Sequence, residues 1–535
     1  MENLYSLYSH LQQQILGLSP GTMANPCSIS TFPFPDLPGA SFLSGTAVPV
    51  SNYSIATTQT DSHWAKNITT LDFCNVTLTY THPGQNDTLN VKILLPPSSS
   101  WNGRFLGTGG GGFATGSFDT SLVFPVSEGY VAAGTDGGHG NGELDAVSAQ
   151  DWALTSPGNV NLYLLQDFAS VALNDVTIIG KSIASSYYGK KPDYSYWNGC
   201  STGGRQGMMM AQRYPEGYNG ILAAAPAINW VQFIVAEYWP QFIMNILGTY
   251  PSACELDEIT AAAMKACDPL DGIEDGILSA PGLCTFQANE TVGKEVTCPD
   301  GSRATISKAA AQVAQAAWDG PTSDGGEFLW YGFNPSSPLS TGTARTSCET
   351  PSANCTGSPF PIATDWINLF VLKNASDSLK NISHAQFTRI FHSSVQQFAS
   401  IIGTSDPDLR AFRDTGGKII SWHGLSDQLI YPNGTSSYYK EVEARDENVR
   451  DYFRYFEAPG VQHCAGGNGP FPGGALGALV DWVERGVAPD VLVAKSLPAA
   501  NGSVVERNLC VYPLVAAYLG GDPTVATSFE CRESF

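Results

Sequence analysis

Residues 70–98 alternate apolar and polar side chains, first through LDFCNVTLTY and again through TLNVKILL, with His82-Pro83-Gly84 between the two runs. A period of two puts neighbouring side chains on opposite faces of a strand, and Pro-Gly is turn chemistry, so the stretch predicts an antiparallel hairpin. The pattern then changes. Apolar runs at 103–107, 130–134, 194–198 and 219–226 are too short for helices and are bounded by glycine or turn residues. Between them, 159–188 carries apolar positions at helical spacing, and a further helix is predicted from Gly203-Gly204 to about Arg213. Strands alternating with helices imply a mostly parallel sheet.

The alternation stops at 229–411, where Pro/Ser/Gly-rich stretches surround predicted helices near 258–266 and 305–318. It resumes at 417–422 (GKIISW) and 451–458 (DYFRYFEA), with a helix over 474–485. The expected fold class is therefore α/β. Residues 27–228 and 412–535 form one core, and 229–411 is an insertion. Residues 1–26 show no positive segment followed by an apolar run, so they do not read as a signal peptide. They are set aside as a leader or a non-native extension. No run of 18 apolar residues predicts a membrane span.

Composition adds compartment and partners. Of 535 residues, 49 are acidic and 27 basic, a net charge of −22. Such a surface repels phosphate backbones, which excludes nucleic acid as a partner. Cysteines number 12, an even count, and no Cys-x-x-Cys pair suggests a zinc ribbon or redox site. Asn-x-Ser/Thr sequons start at Asn52, Asn67, Asn75, Asn86, Asn289, Asn354, Asn374, Asn381, Asn433 and Asn501. That is ten of 27 asparagines, against about one in six by chance. Paired thiols and many sequons together predict a secreted glycoprotein.

The candidate chemistry begins at Gly199-Cys200-Ser201-Thr202-Gly203, a G-x-S-x-G match between a predicted strand and a predicted helix. A nucleophile elbow needs that context: glycines allow the tight turn, and the helix N-terminus offers N–H groups to a developing oxyanion. By itself the match equally suits an ordinary glycine-rich turn. A serine also needs a base. Of eight histidines, His463 lies in the loop after the 451–458 strand, and Asp427 follows the 417–422 strand. The order Ser201, Asp427, His463 is that of an α/β hydrolase. Singly, Asp427 also reads as a turn or capping aspartate and His463 as a loop histidine. Cys200 precedes Ser201 and Cys464 follows His463, so a formed triad would bring these two cysteines within disulfide reach.

With Cys200-Ser201, Asp427 and His463-Cys464 so arranged, the chain resembles the fungal and bacterial tannase/feruloyl esterase family, which also includes bacterial hydrolases of mono(hydroxyethyl) terephthalate. The resemblance runs from about Cys27 to the C-terminus. It implies an α/β-hydrolase core with the insertion as a lid. It also implies an oxyanion hole from the N–H of Thr202 and of the Gly109–Gly112 run, at Gly111 or Gly112. By family analogy the pairs Cys27–Cys74, Cys267–Cys284 and Cys510–Cys531 are expected. Proximity adds Cys348–Cys355, and Cys254–Cys298 follows only by elimination.

Residues 267–277 (CDPLDGIEDGI) hold four carboxylates within eight residues. Oxygen ligands and turn glycines suit Ca²⁺, but the spacing is not that of an EF-hand and alone reads as an exposed acidic turn. The resemblance implies a structural Ca²⁺ in the lid. Its ligands would be the carboxylates of Asp268, Asp271 and Asp275 and the carbonyls of Ile273 and Ile277, with Glu274 facing solvent.

The sequence thus predicts a secreted serine esterase cleaving esters of aromatic, hydroxycinnamic acids, of feruloyl esterase type. Its substrate would derive from plant cell wall or tannin, with no nucleic-acid or membrane partner. Tannase is the alternative. No Lys-Arg dipeptide occurs, whereas some fungal tannases resemble one another in being cut at such a site, which favours the feruloyl reading. A non-catalytic hydrolase-fold glycoprotein that binds partners is the alternative of another class.

Overall fold

The computed structural model describes residues 25–535 apart from 60–61, 119, 351–352, 377 and 500–501. Nearly all of the set-aside N-terminal stretch, and the sequon at Asn501, lie outside the described residues. Nine strands form one mixed sheet. In chain order they are β1 (Ser41–Thr57), β2 (Lys66–Thr81), β3 (Leu89–Leu95), β4 (Arg104–Thr108) and β5 (Val131–Thr135), then β6 (Tyr194–Cys200), β7 (Gly220–Ala224), β8 (Lys418–Gly424) and β9 (Phe453–Ala458). Their spatial order is β1-β2-β3-β5-β4-β6-β7-β8-β9. Pairs from β1 to β5 through β2 and β3 are antiparallel. From β5 through β4 to β9 every pair is parallel.

The parallel half follows from its sequence. β7 (GILAA) is buried at every position, and β6 and β8 at all but their first. Strands covered on both faces read as continuous apolar runs, not as alternation. The antiparallel β2 alternates buried and half-buried positions over its second half, as a strand with one wet face does. β1 was not predicted. Most of its positions are exposed or half-buried, so it lacks an apolar period and is held by its ladder to β2. The helical stretch expected over 159–188 divides into Leu162–Ala169 and α1 (Val171–Tyr188). Ser170 interrupts it at φ −162°, buried and accepting a hydrogen bond from Arg213 Nη1.

Five further helices matter below: α2 (Thr202–Arg213), α3 (Trp230–Ala236), α4 (Ala253–Cys267), α5 (His384–Ile402) and α6 (Pro432–Arg445). Between β7 and β8 the chain adds no strand to the large sheet. Capping boxes at Ser252/Glu255 and Ser383/Gln386 start α4 and α5, each satisfying N–H groups a helix leaves open. An aromatic cluster links this segment to the core: Phe113 lies 6.0 Å from both Trp152 and Trp230, and Trp366 lies 4.8 Å from Phe370. The twelve cysteines form six bridges: Cys27–Cys74, Cys200–Cys464, Cys254–Cys298, Cys267–Cys284, Cys348–Cys355 and Cys510–Cys531.

Candidate active site

Ser201 sits between the end of β6 and the start of α2, at φ 62° and ψ −124°. Positive φ is unfavourable for a serine, by about 1–3 kcal/mol, and persists only where the surroundings enforce it. Here Ser201 N–H donates to Ala224 O, and Ser201 O accepts from the N–H groups of Arg205 and Ala227, all at 3.0 Å. The motif glycines permit the turn. A Cβ on Gly199 would lie 2.6 Å from the Gly203 backbone, and one on Gly203 would press on Gly109 and Gly110. The result is the strained elbow that presents a side chain at the C-terminal edge of the parallel strands.

Asp427 lies just past β8 and is fully buried. Its Oδ2 accepts from His463 Nδ1 at 2.7 Å and from His423 Nε2 at 3.1 Å. Its Oδ1 accepts from the N–H groups of Leu429 and Ile430 at 2.8 and 2.9 Å. Burial alone would raise this carboxyl. The charge of His463 and the hydrogen bonds from both histidines outweigh burial and hold it well below the usual carboxylate range. With Nδ1–H committed to Asp427, His463 has Nε2 left as a base. The loop is held further by His463 N–H, which donates to Gln428 Oε1 at 3.1 Å. The Cys200–Cys464 bridge, Cα–Cα 5.8 Å, ties the base loop to the elbow. Ser201 and His463 line the same cleft of about 450 Å³.

The glycine run Gly109–Gly112 forms another side of this cleft. Gly109 N–H donates to Asn198 O, Gly110 N–H to Gln206 Oε1 and Phe113 N–H to Ala146 O. Among the described residues this leaves the N–H groups of Gly111 and Gly112 as the uncommitted donors of the run. Thr202, at the N-terminus of α2, anchors the run by donating from Oγ1 to Gly112 O at 2.6 Å. A backbone N–H at a helix start together with one from a facing loop is the donor pair an acyl oxyanion requires. Elsewhere the lining is mixed: Trp230, Phe233 and Ile234 of α3 and Phe360 and Ile362 from the segment between β7 and β8 are apolar, whereas Ser117, Ser121, Asn141, Glu143 and Glu237 are polar.

The family described as tannase and feruloyl esterase matches residues 74–532. The chain belongs to that family. It is 43% identical over 477 residues to a probable feruloyl esterase of Arthroderma benhamiae, covering 88% of each chain. It is 30% identical over 517 residues to a tannase of Aspergillus oryzae, covering 86% of this chain and 85% of the other. The fold matches that of tannin acyl hydrolase from Aspergillus niger with a TM-score of 0.84 at 28% identity, over 94% and 93% of the two chains. The fold is that of an α/β hydrolase. This member of the family is a carboxylic ester hydrolase, which removes the non-catalytic binding glycoprotein as a reading.

In this esterase the cleft and the acidic loop are separate features, since none of residues 267–277 lines the cleft. The loop follows α4 and is stapled by Cys267–Cys284. Asp268 and Asp271 are buried, and Glu274 is exposed. Asp268 Oδ2 accepts from Gly276 N–H, Asp271 Oδ1 from Ile273 N–H and Asp275 Oδ1 from Ile277 N–H. Asp275 also pairs with the buried Arg507. Asp268 Oδ1 is buried with no hydrogen-bond partner, and burial raises the Asp268 and Asp271 carboxyls. An unpaired buried carboxylate oxygen among three aspartates and turn carbonyls suits a hard divalent cation, so the residues fit Ca²⁺. The three aspartates do not gather their carboxylate oxygens within 4.8 Å of one another; among the described residues the group that brings its donor atoms so close is His82, Asp87 and Asp167. Both nitrogens of His82 are already engaged there, by Asp87 at 2.6 Å and Asp175 at 3.2 Å.

Two residues at the cleft escaped sequence reasoning. His423 is fully buried at the end of β8 and reads in sequence only as a strand-end histidine. Its Nδ1 accepts from Thr435 Oγ1 at 2.8 Å, and its Nε2–H points at Asp427 Oδ2 and Ile430 O. It therefore positions Asp427 through Oδ2, the same oxygen that His463 engages. The four-residue spacing to Asp427 was the available signal. The signal for Glu237 was its place as the one charged residue in the apolar stretch 230–247.

Proposed function

We propose that the protein is a secreted serine esterase of aromatic acids, of feruloyl esterase type. The observation that carries the reading is the buried, hydrogen-bonded Asp427–His463 pair, locked by Cys200–Cys464 beside Ser201 on a strained elbow. The 43% identity to a probable feruloyl esterase supports the substrate class. Tannase is the second reading, favoured by the 0.84 TM-score to tannin acyl hydrolase. Secretion is supported by the absence of any free cysteine among the described residues.

In the mechanism, His463 Nε2 takes the proton of Ser201 Oγ as that oxygen attacks the ester carbonyl. Asp427 keeps the imidazole in the Nδ1–H tautomer and stabilises the imidazolium. The N–H of Thr202 and that of Gly111 or Gly112 hold the oxyanion. His463 returns the proton to the leaving alkoxide, and the alcohol departs. Water, deprotonated by the same nitrogen, then attacks the acyl-enzyme, releasing the acid and restoring Ser201. The aromatic acyl group packs against the apolar wall of α3 and the segment between β7 and β8, which acts as the lid. Ca²⁺ would be held by Asp268, Asp271 and Asp275 with the carbonyls of Ile273 and Ile277. It would supply charge neutralisation to the loop and no chemistry to the cleft.

Parallel hydrolysis of methyl ferulate and methyl gallate tests the reading. Turnover of methyl ferulate, with the higher kcat/KM, is expected. Preference for methyl gallate moves the assignment to tannase, and turnover of neither ends the aromatic-ester reading. Ser201→Ala is expected to abolish turnover while leaving the circular dichroism spectrum unchanged.

A further inference from the structure

Glu237 follows the last residue of α3 and lines the catalytic cleft beside Trp230, Phe233 and Ile234 of that helix. It is 2% exposed. Its Oε2 is buried and has no hydrogen-bond partner. Among the described residues no lysine, arginine or histidine forms an ion pair with it. An ionised carboxylate is costly in such a place. The C-terminal end of α3 adds the negative end of a helix dipole. Burial first, and the charge of Asp427 second, push the Glu237 carboxyl well above its ordinary range. A neutral carboxylic acid both donates and accepts a hydrogen bond. Here that capacity sits at a substrate-sized cleft, among the apolar side chains Trp230, Phe233 and Ile234 of α3. Buried polar groups almost always have partners, and Glu237 lines the space that a ligand would fill.

We propose that Glu237 hydrogen-bonds a ring oxygen of the bound acyl group, and so selects acyl rings that carry a hydroxyl over unsubstituted ones. The proposal rests on the aromatic-ester reading above. An apolar pocket separates two acids differing by a hydroxyl only weakly. A site built to pair that hydroxyl discriminates far more, because both partners are stranded when the pair is missing. Glu237 thereby turns a general aryl pocket into one for phenolic acids, with the ring's polar edge directed at α3 and its ester at Ser201.

The experiment compares methyl 4-hydroxycinnamate with methyl cinnamate in the full chain, for wild type, Glu237→Gln and Glu237→Leu. In Glu237→Leu the ratio of the two kcat/KM values is expected to fall about 10–100-fold. In Glu237→Gln, whose amide keeps a donor and an acceptor without charge, it is expected to stay within about threefold of wild type. An unchanged ratio in Glu237→Leu, or proportional losses on both esters in both variants, overturns the proposal. In those cases Glu237 acts only through packing or through the field at Asp427. Should Glu237→Leu fail to fold by circular dichroism, Glu237→Met reads the same ratio. Wild type that hydrolyses neither ester fails the aromatic-ester reading instead, and that outcome is known before any variant is assayed.

Discussion

Two histidine–aspartate groups are buried in this molecule, and they are built for opposite ends. At the cleft, Asp427 is the hub: four donors converge on its two oxygens, and His463 Nε2 makes no hydrogen bond among the described residues. At the hairpin between β2 and β3, the histidine is the hub. His82 Nδ1 meets Asp87 at 2.6 Å and Nε2 meets Asp175 at 3.2 Å, while Tyr80 Oη donates to Asp175. With both nitrogens held by carboxylates, His82 stays an imidazolium, raised to about 9 chiefly by the Asp175 hydrogen bond. A catalytic base needs a nitrogen with no protein partner. A structural histidine is one that has none to spare. The same two residue types yield a reactive pair or an ionic lock, depending on which of them is saturated.

The comparison breaks most visibly at the two histidines. His463→Ala is expected to lower kcat by about 10⁴–10⁶-fold, as loss of a triad base does, with little change in urea midpoint. Asp427→Asn should lower kcat by about 10³–10⁴-fold through the wrong tautomer. A loss under tenfold in steady-state assays would mean that Asp427 does not orient the base. His82→Leu should reverse the pattern. Asp87 and Asp175 lose the cation that pairs with both, so unfolding free energy should drop by about 3–5 kcal/mol, while kcat at a permissive temperature stays within about threefold.

The pH dependence of the lock sharpens the point. His82 titrates higher folded than unfolded, so its stabilisation is complete below about pH 6.5 and is lost as pH rises through about 9. Asp167 is buried with neither oxygen hydrogen-bonded, and burial raises it to about 7. Its ionisation also costs stability as pH rises, but mostly between about pH 4 and 7. Urea titrations between pH 6.5 and 9 should therefore show stability falling by about 2–3 kcal/mol, and His82→Leu should lose the histidine's share of that fall and keep the part due to Asp167. The smallest effect is expected at His423. Its removal takes one donor from Asp427, so His423→Ala should lower kcat by about tenfold, near the ~1.5 kcal/mol of one hydrogen bond to a charged group. It should also shift the acid limb of the pH–rate profile upward, which a purely structural loss would not.

Legibility in the sequence followed the range of the interaction concerned. β6, β7 and β8 were readable because burial on both faces makes each a short continuous apolar run. β1, exposed along most of its length, was not, since its place comes from pairing with β2. Ser201, Asp427 and His463 could be nominated because each follows a strand in the order the fold requires. The cysteines beside Ser201 and His463 made the joint reading stronger than any single residue did. The resemblance narrowed the Gly109–Gly112 run to Gly111 or Gly112, and the hydrogen bonds of Gly109 to Asn198 and of Gly110 to Gln206 leave those same two donors open.

By itself, the sequence determined the strand–helix alternation, the elbow motif, the order of the candidate triad and the family. Those are local properties, set by side-chain period, turn chemistry and the residues flanking each reactive group. Only the tertiary structure decided which buried histidine is saturated, that His423 braces Asp427, and that Glu237 stands in the cleft without a partner. Protonation and reactivity depend on burial and on hydrogen bonds made across tens to hundreds of residues, and no window along the chain contains both partners.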